Sequence, residues 1–331
     1  MNPLYQINPM RKESLENGVL KDLVQTLYTN TLGFIDQNGK AACHQNLPSR
    51  TVVEEITSSL RTILFPGYFG FSEVKKENMS FYIGSTIDRL RDMLQEQIQR
   101  GLGFSCRDDI QRCTRCYDEA EKITEAFLGR LPEIQRMLGT DVYAAYEGDP
   151  AAKSLDEVIF CYPGLWAITN YRLAHELYKL KVPFIPRMIT ELAHSSTGID
   201  IHPGASIGEY FFIDHGTGVV IGGTCVIGKG VRIYQGVTLG AKSFKVDEDG
   251  NPIKGIPRHP IVENDVVISS GATILGRITI GKGSVIGGNV WLVRSVPPFS
   301  RIAQTEAQDN YFETGLGIYC TQYRLGSKLL R

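Results

Sequence analysis

From Ile201 to Leu292, thirteen aliphatic residues recur on a six-residue period. Ile201, Ile207 and Ile213 begin it, Ile221, Ile227, Ile233 and Leu239 continue it, and Val262, Ile268, Ile274, Ile280, Ile286 and Leu292 complete it. Glycine directly follows several of them, as in Ile207-Gly208, Ile227-Gly228 and Ile286-Gly287. A hexapeptide period predicts a parallel β-helix, because each side of a triangular prism takes six residues and points its aliphatic residue inward. Stacked coils then share a core that no single coil could make. Helical or doubly wound folds do not tolerate so many glycines in phase.

Two breaks interrupt the period. Ile213 and Ile221 are eight residues apart rather than six, so two residues bulge out around Asp214-His215-Gly216-Thr217-Gly218. Between Leu239 and Val262 lies an excursion, Lys242 to Pro260, rich in charge, glycine and proline, that ends in Arg258-His259-Pro260. Insertions in a solenoid become surface loops, and such loops commonly carry function.

Before Gly198 the pattern is helical. Ile87, Leu90, Leu94 and Ile98 step by three or four, with Ser85 as the expected N-cap; Leu173, Leu177 and Leu180 follow Pro163-Gly164 in the same way. Ile123 and Phe127, then Ile134 and Leu138 after Pro132, predict further helices. The expected fold is α + β: an all-α helical domain over residues 1–196, a β-helix over 197–298 and a C-terminal tail over 299–331. Lys and Arg number 35 against 36 Asp and Glu, a balance that gives no electrostatic reason to expect nucleic acid or an anionic membrane. No apolar stretch reaches the length of a bilayer span and no secretory signal is visible, so a cytoplasmic location is expected. Seven cysteines, an odd number thinly spread, fit reduced thiols. Cys106, Cys113 and Cys116 share one helix face at spacings of seven and three, as core residues do; a zinc site would want a fourth ligand.

Four segments carry a family resemblance. Gly198-Ile199-Asp200-Ile201-His202-Pro203, Asp214-His215-Gly216-Thr217-Gly218, Arg258-His259-Pro260 and, upstream, Asp149-Pro150-Ala151-Ala152 resemble bacterial and plant serine acetyltransferases in order and spacing. Gly164 and the Tyr171-Arg172-Leu173-Ala174-His175 run follow at the expected interval. The resemblance covers about residues 140–298, and the first 130 or so match less clearly. It implies a left-handed β-helix, acetyl-CoA as co-substrate with no metal, a homotrimer or dimer of trimers, and acetyl transfer to L-serine on the way to cysteine.

That reaction needs a general base, since a serine hydroxyl is too weak an acid to attack a thioester unaided, and histidine has the suitable pKa. By resemblance the base is His215, with Asp200 accepting from its other ring nitrogen. Asp149 and Asp214 would meet the substrate ammonium, and Arg258 with His259 the carboxylate, which arginine can bind at two points. Asp149, before Pro150, reads equally as a helix-initiating N-cap, Asp200 as a turn residue and Arg258 as a solvated loop charge. The amides near Gly240 and Ala241 are expected at the oxyanion, and Ser270 and Gly288 along the pantetheine groove. His175 and His202 read as structural. With the ammonium and carboxylate unchanged, L-cysteine is expected to compete with serine.

Departures from the family accompany these matches. Gly222-Gly223 stands where the bacterial pattern has Gly-Glu, and the segment after Pro298 lacks the usual Gly-x-Pro-Ala turn. The chain ends Lys328-Leu329-Leu330-Arg331 rather than in the isoleucine that many members use to dock cysteine synthase, which counts against that partner. The same fold also supports acetyl transfer to sugars or antibiotics, zinc hydration with three converging histidines (here His202, His215 and His259), and non-catalytic scaffolds. The paired charges of Asp149 and Arg258 favour an amino-acid acceptor.

Overall fold

Among the described residues, eight α-helices precede fourteen short parallel strands. The computed structural model describes residues 18–38, 47–70, 75–104, 114–243 and 246–304. The helices are α1 (Gly18–Asn38), α2 (Arg50–Leu64), α3 (Met79–Gly103), α4 (Thr114–Leu128), α5 (Leu131–Gly148), α6 (Leu155–Cys161), α7 (Pro163–Lys179) and α8 (Ile185–Thr197). Each periodic set lands on a buried stripe: Leu90, Leu94 and Ile98 on α3, Ile123 and Phe127 on α4, Ile134 and Leu138 on α5. Helix α3 begins six residues earlier than Ser85, whose hydroxyl donates to the Tyr82 carbonyl at 3.1 Å instead of capping. Cys116 is buried on α4; Cys106 and Cys113 lie outside the described residues.

The strands form a left-handed parallel β-helix. Its three faces are β1-β4-β7-β10-β13, β2-β5-β8-β11 and β3-β6-β9-β12-β14. β1 is Asp200–Ile201, β2 Ser206–Ile207, β3 Phe212–Ile213, β4 Val220–Ile221, β5 Val226–Ile227, β6 Arg232–Ile233 and β7 Thr238–Gly240. β8 is Ile261–Val262, β9 Val267–Ile268, β10 Thr273–Leu275, β11 Thr279–Ile280, β12 Val285–Ile286, β13 Trp291–Leu292 and β14 Arg301–Ile302. The thirteen periodic aliphatics stack in register as three columns. Ile201 pairs with Ile221, Ile221 with Leu239, Leu239 with Ile274 and Ile274 with Leu292. All thirteen are buried. Leu239 and Ile274 are neighbours in the column because the 242–260 excursion leaves the prism after β7 and rejoins it on the next face at β8, adding no strand. A second inward position, two residues before most of the strand aliphatics, is buried as well: Ala205, Phe211, Val219, Cys225, Val237 and Ala272 are examples. The β-helix also runs past residue 298, since Arg301–Ile302 pairs with Val285–Ile286. The segment from residue 305 to the C-terminus, Lys328–Arg331 included, lies outside the described residues.

Strands β1, β2 and β3 are edge strands whose free backbone groups need covering. Helix α7 does this with one face. The Tyr171 hydroxyl donates to the Ala205 carbonyl at 2.6 Å and accepts from the Ile207 amide at 3.1 Å. The ring nitrogen Nδ1 of His175 lies 2.8 Å from the Pro203 carbonyl, consistent with the structural role expected of it. Arg172 donates Nη2 to the Gly208 carbonyl at 2.8 Å and grips buried Asp141 of α5 at two points, 2.6 and 2.8 Å. Asp141 in turn accepts from the Phe211 amide at 3.0 Å. One continuous core thus runs from the helices into the prism. No helix among the described residues is long and apolar enough to cross a membrane.

Candidate active site

The eight-residue phase break forms a loop at the corner between β3 and β4, where His215 adopts a left-handed backbone (φ 56°) between Asp214 and Gly216. The Gly218 amide donates to the Gly198 carbonyl at 2.8 Å, tying the loop to the coil below it. The His215 side chain is 72% exposed, and its Nδ1 lies 3.8 Å from Oδ1 of Asp214, which is 15% exposed. An exposed imidazole beside a sheltered carboxylate is free to reach a substrate while one nitrogen faces fixed negative charge.

Helices bring a second acid, Asp149, to this corner. Gly164, in the first turn of α7, lies so close to β3 that a Cβ there would sit 2.3 Å from the Ile213 carbonyl oxygen. That approach sets Tyr162 and Asp149 beside the loop. Asp149 caps the C-terminus of α5 rather than starting a helix: its Oδ1 accepts from the Ala151 amide at 2.8 Å. Its Oδ2 accepts from the Tyr162 hydroxyl at 2.5 Å. These two donors, with the His215 imidazole nearby, hold the Asp149 carboxyl below the usual range, so it is ionised at neutral pH. Burial and the Asp149 carboxylate push the Tyr162 hydroxyl upward, keeping it a donor. Tyr162 carries no motif signal in the sequence.

Asp200 makes its ion pair with a residue of α8. It starts β1, one coil beneath the His215 loop, and its Oδ1 lies 3.5 Å from Nη1 of Arg187 on α8. Arg187 also pairs with Glu191 at 2.6 Å, and Glu191 with His194 at 3.1 Å. Among the described residues, Asp214 is the carboxylate that pairs with His215.

Arg258 and His259 lie at a different corner, between the β4 and β5 ends of the prism. Thr224 organises them: its hydroxyl accepts from the Arg258 amide at 2.9 Å and the His259 amide at 3.2 Å. The Thr224 amide donates to His259 Nδ1 at 3.1 Å, which places the imidazole proton on Nε2. Arg277 Nη1 donates to the Thr224 and His259 carbonyls at 2.6 and 3.0 Å. Burial, then the guanidinium of Arg258, lowers the His259 pKa to about 4, so the ring is neutral at pH 7. Gly222 is required beneath it, since a Cβ there would lie 2.1 Å from the ring. A Cβ on Gly223 would likewise lie 2.7 Å from Nδ1 of His202, which accepts from the Gly204 amide at 3.0 Å. Where the family pattern has glutamate, this chain therefore has room only for glycine unless His202 moves. Thr224 and Arg277 were not legible as site residues; only the position of Thr224 just after Gly222-Gly223 hints at its role.

The remaining candidates divide between the same two edges. Ser270 and Gly288 follow β9 and β12 on the His215 edge, where a Cβ on Gly288 would lie 3.3 Å from the Ser270 carbonyl. Gly240 ends β7 and Ala241 follows it, on the Arg258 edge. Within one chain the candidates thus line two edges of the β1-β4-β7-β10-β13 face. Within one chain the same division parts His215 from His202 and His259.

No protein-family model matches the chain. It is 55% identical over 281 residues, 82% of its length and 86% of the relative's, to the plasmid serine acetyltransferase of Synechococcus elongatus. The chain belongs to the serine acetyltransferase family. The match is longer than the motif-bearing span 140–298, so it takes in part of the N-terminal region that carries no clear motif. Among solved structures, the chain is similar to serine acetyltransferase 1 of Entamoeba histolytica in complex with L-cysteine. That match has a TM-score of 0.66 at 41% identity and covers 75% of this chain and 86% of the other. It is also similar to the serine acetyltransferase of Brucella abortus in complex with coenzyme A (TM-score 0.50, 28% identity, covering 77% and 94%).

Proposed function

We propose that this acyltransferase moves the acetyl group of acetyl-CoA to the hydroxyl of L-serine, giving O-acetylserine and CoA, with His215 as general base. The observation that carries the assignment to residues is the convergence of His215, Asp214 and ionised Asp149 at one corner of the prism. The serine hydroxyl gives its proton to His215 as its oxygen attacks the thioester carbonyl. The tetrahedral intermediate collapses by expelling the CoA thiolate, which takes the proton back from the imidazolium. Asp149 and Asp214 meet the substrate ammonium, and Asp214 steadies the imidazolium at Nδ1. Asp200 joins them only if it leaves Arg187. Arg258 and the Nε2–H of neutral His259 hold the carboxylate. The amides at Gly240 and Ala241 face the oxyanion, and Ser270 and Gly288 leave room for the pantetheine arm. Family membership favours serine over sugar or antibiotic acceptors. The paired acid and guanidinium groups favour it on chemical grounds.

The experiment is CoA release with serine, homoserine and aminoglycosides as acceptors. Serine should be turned over fastest, and L-cysteine should raise the KM for serine without lowering kcat, because it keeps both charged groups and changes one atom. Silence with serine, or inhibition that more serine cannot relieve, would count against the reading.

The two-edge arrangement supports a site completed by a second copy, the His215 edge of one subunit facing the Arg258 edge of the next, in a trimer or a pair of trimers. Mixing His215→Ala and Arg258→Ala proteins, each inactive, should then restore activity. In a random 1:1 reassembled trimer about a quarter of the sites join two intact edges. A fully active monomer by sedimentation would refute this.

A further inference from the structure

Behind Tyr162, away from the substrate groups, lies a cavity of about 220 Å³. Its walls come from α2 and the turn after it, from the α6–α7 junction, and from the end of α8. They include Arg61, Phe69, Phe160, Tyr162, Trp166 and Thr197. Three of the six are aromatic rings outside any catalytic role, and Phe160 and Trp166 remain 57% and 39% exposed. The one charged group is Arg61. Its guanidinium carbon lies 3.6 Å from the centroid of Trp166 and 4.7 Å from that of Phe69, so it is flanked by two π faces. Its Nε is buried with no hydrogen-bond partner, and among the described residues no carboxylate pairs with it. Burial accordingly lowers its pKa.

A partly buried guanidinium that is stacked and has a buried Nε–H without a partner is satisfied best by an anion lying in its plane. The aromatic walls select an apolar, planar body for the rest of that ligand. The volume restricts it to roughly the size of a substituted benzene ring. We propose that this cavity is an effector site for a small aromatic carboxylate.

Its occupancy would be felt at the substrate site along two short routes. Tyr162 lines the cavity and donates to Asp149 at 2.5 Å. Thr197 lines it and precedes Gly198, whose carbonyl holds the His215 loop through the Gly218 amide. A ligand packed against Tyr162 keeps that hydroxyl on Asp149 and so opposes the substrate ammonium, which needs the same carboxylate. Bound acid therefore raises the KM for serine and leaves kcat nearly unchanged. By linkage, serine weakens the acid to the same degree. The kinetic half of this inference rests on the role given to Asp149; the binding half does not.

Trp166 is one of two tryptophans in the chain and lies in the cavity wall, so it reports binding directly. In a Trp291→Phe background its emission should change saturably with phenylacetate in the millimolar range. 2-Phenylethanol, which lacks the charge, and acetate, which lacks the ring, should bind about tenfold more weakly or worse. Arg61→Met should abolish the preference for acid over alcohol while circular dichroism shows an unchanged fold. Arg61→Lys, which keeps the charge without the planar fork, should retain part of it. Added phenylacetate should raise the serine KM at least about twofold in the parent and not in Arg61→Met. No saturable signal with phenylacetate, or equal affinity for acid and alcohol, overturns the site. Binding with an unchanged serine KM overturns its effector role. Binding together with a parent protein that does not acetylate serine would instead locate the failure in the proposed function.

Discussion

Replacing His215 with alanine should lower acetyl transfer to serine by about 10²–10⁴-fold, the usual range for removing a general base. The side chain is largely exposed on a loop, and its removal opens no hole in the core, so the fold should be untouched. The loss should appear in kcat, because the base acts on a proton that moves only in the transition state. Neighbouring carboxylates give this prediction a second arm. With Asp214 beside Nδ1 at 3.8 Å and Asp200 turned to Arg187, Asp214→Asn should affect both serine binding and kcat, and Asp200→Asn should affect kcat less. A greater kcat loss in Asp200→Asn would mean that Asp200 swings from Arg187 to His215 when substrate binds. Near-normal turnover in a folded His215→Ala protein would remove the catalytic assignment altogether.

The largest stability effect should come from Arg172→Ala, where the helical domain meets the first coil. Arg172 and Asp141 are 4% and 1% exposed, and their two-point contact is supplemented by the Gly208 carbonyl and the Phe211 amide. Removing the guanidinium strands a carboxylate in a buried site, at a cost of about 3–5 kcal/mol. It also uncovers backbone carbonyls at the edge of the β-helix. Burial already pushes the Asp141 carboxyl upward, and the guanidinium opposes that shift. Without Arg172, folding should therefore favour the protonated form of Asp141 more strongly, and the variant should be less unstable in acid than in base. The double variant Asp141→Leu/Arg172→Met should recover part of the loss, since it removes both charges together. A denaturant midpoint for Arg172→Ala within experimental error of the parent would refute the anchoring role.

The hexapeptide period, read from residue order alone, was enough to predict the β-helix, its three columns and all thirteen inward aliphatics. Such a fold is periodic: each coil meets only its neighbours, so a local pattern is also the global one. The phase breaks located the His215 loop and the Arg258-His259 segment for the same reason, because a departure from a strict period is visible without knowing what surrounds it. The helical stripes of α3, α4 and α5 were legible too, although the start of α3 was not. Its first turns, Met79 to Ser85, carry no sharp capping signal, and the expected cap at Ser85 proved to be interior.

What the sequence did not determine depends on contacts between distant segments. That Asp200 faces Arg187 follows from the way α8 packs against β1, and no local pattern records it. Tyr162, Thr224 and Arg277 became site residues only when α7 closed on Ile213 and the 242–260 excursion returned to the prism. Gly164 and Gly222 read as ordinary glycines until the atoms they make room for, the Ile213 carbonyl and the His259 ring, were in place. The division of the candidates between two edges of one face also needed the folded coil, because corners that are one strand apart along the chain point in different directions in space. Period and spacing determine which residues face inward. Which outward side chains meet is decided by packing, since hydrogen bonds and ion pairs act over a few ångströms irrespective of distance along the chain.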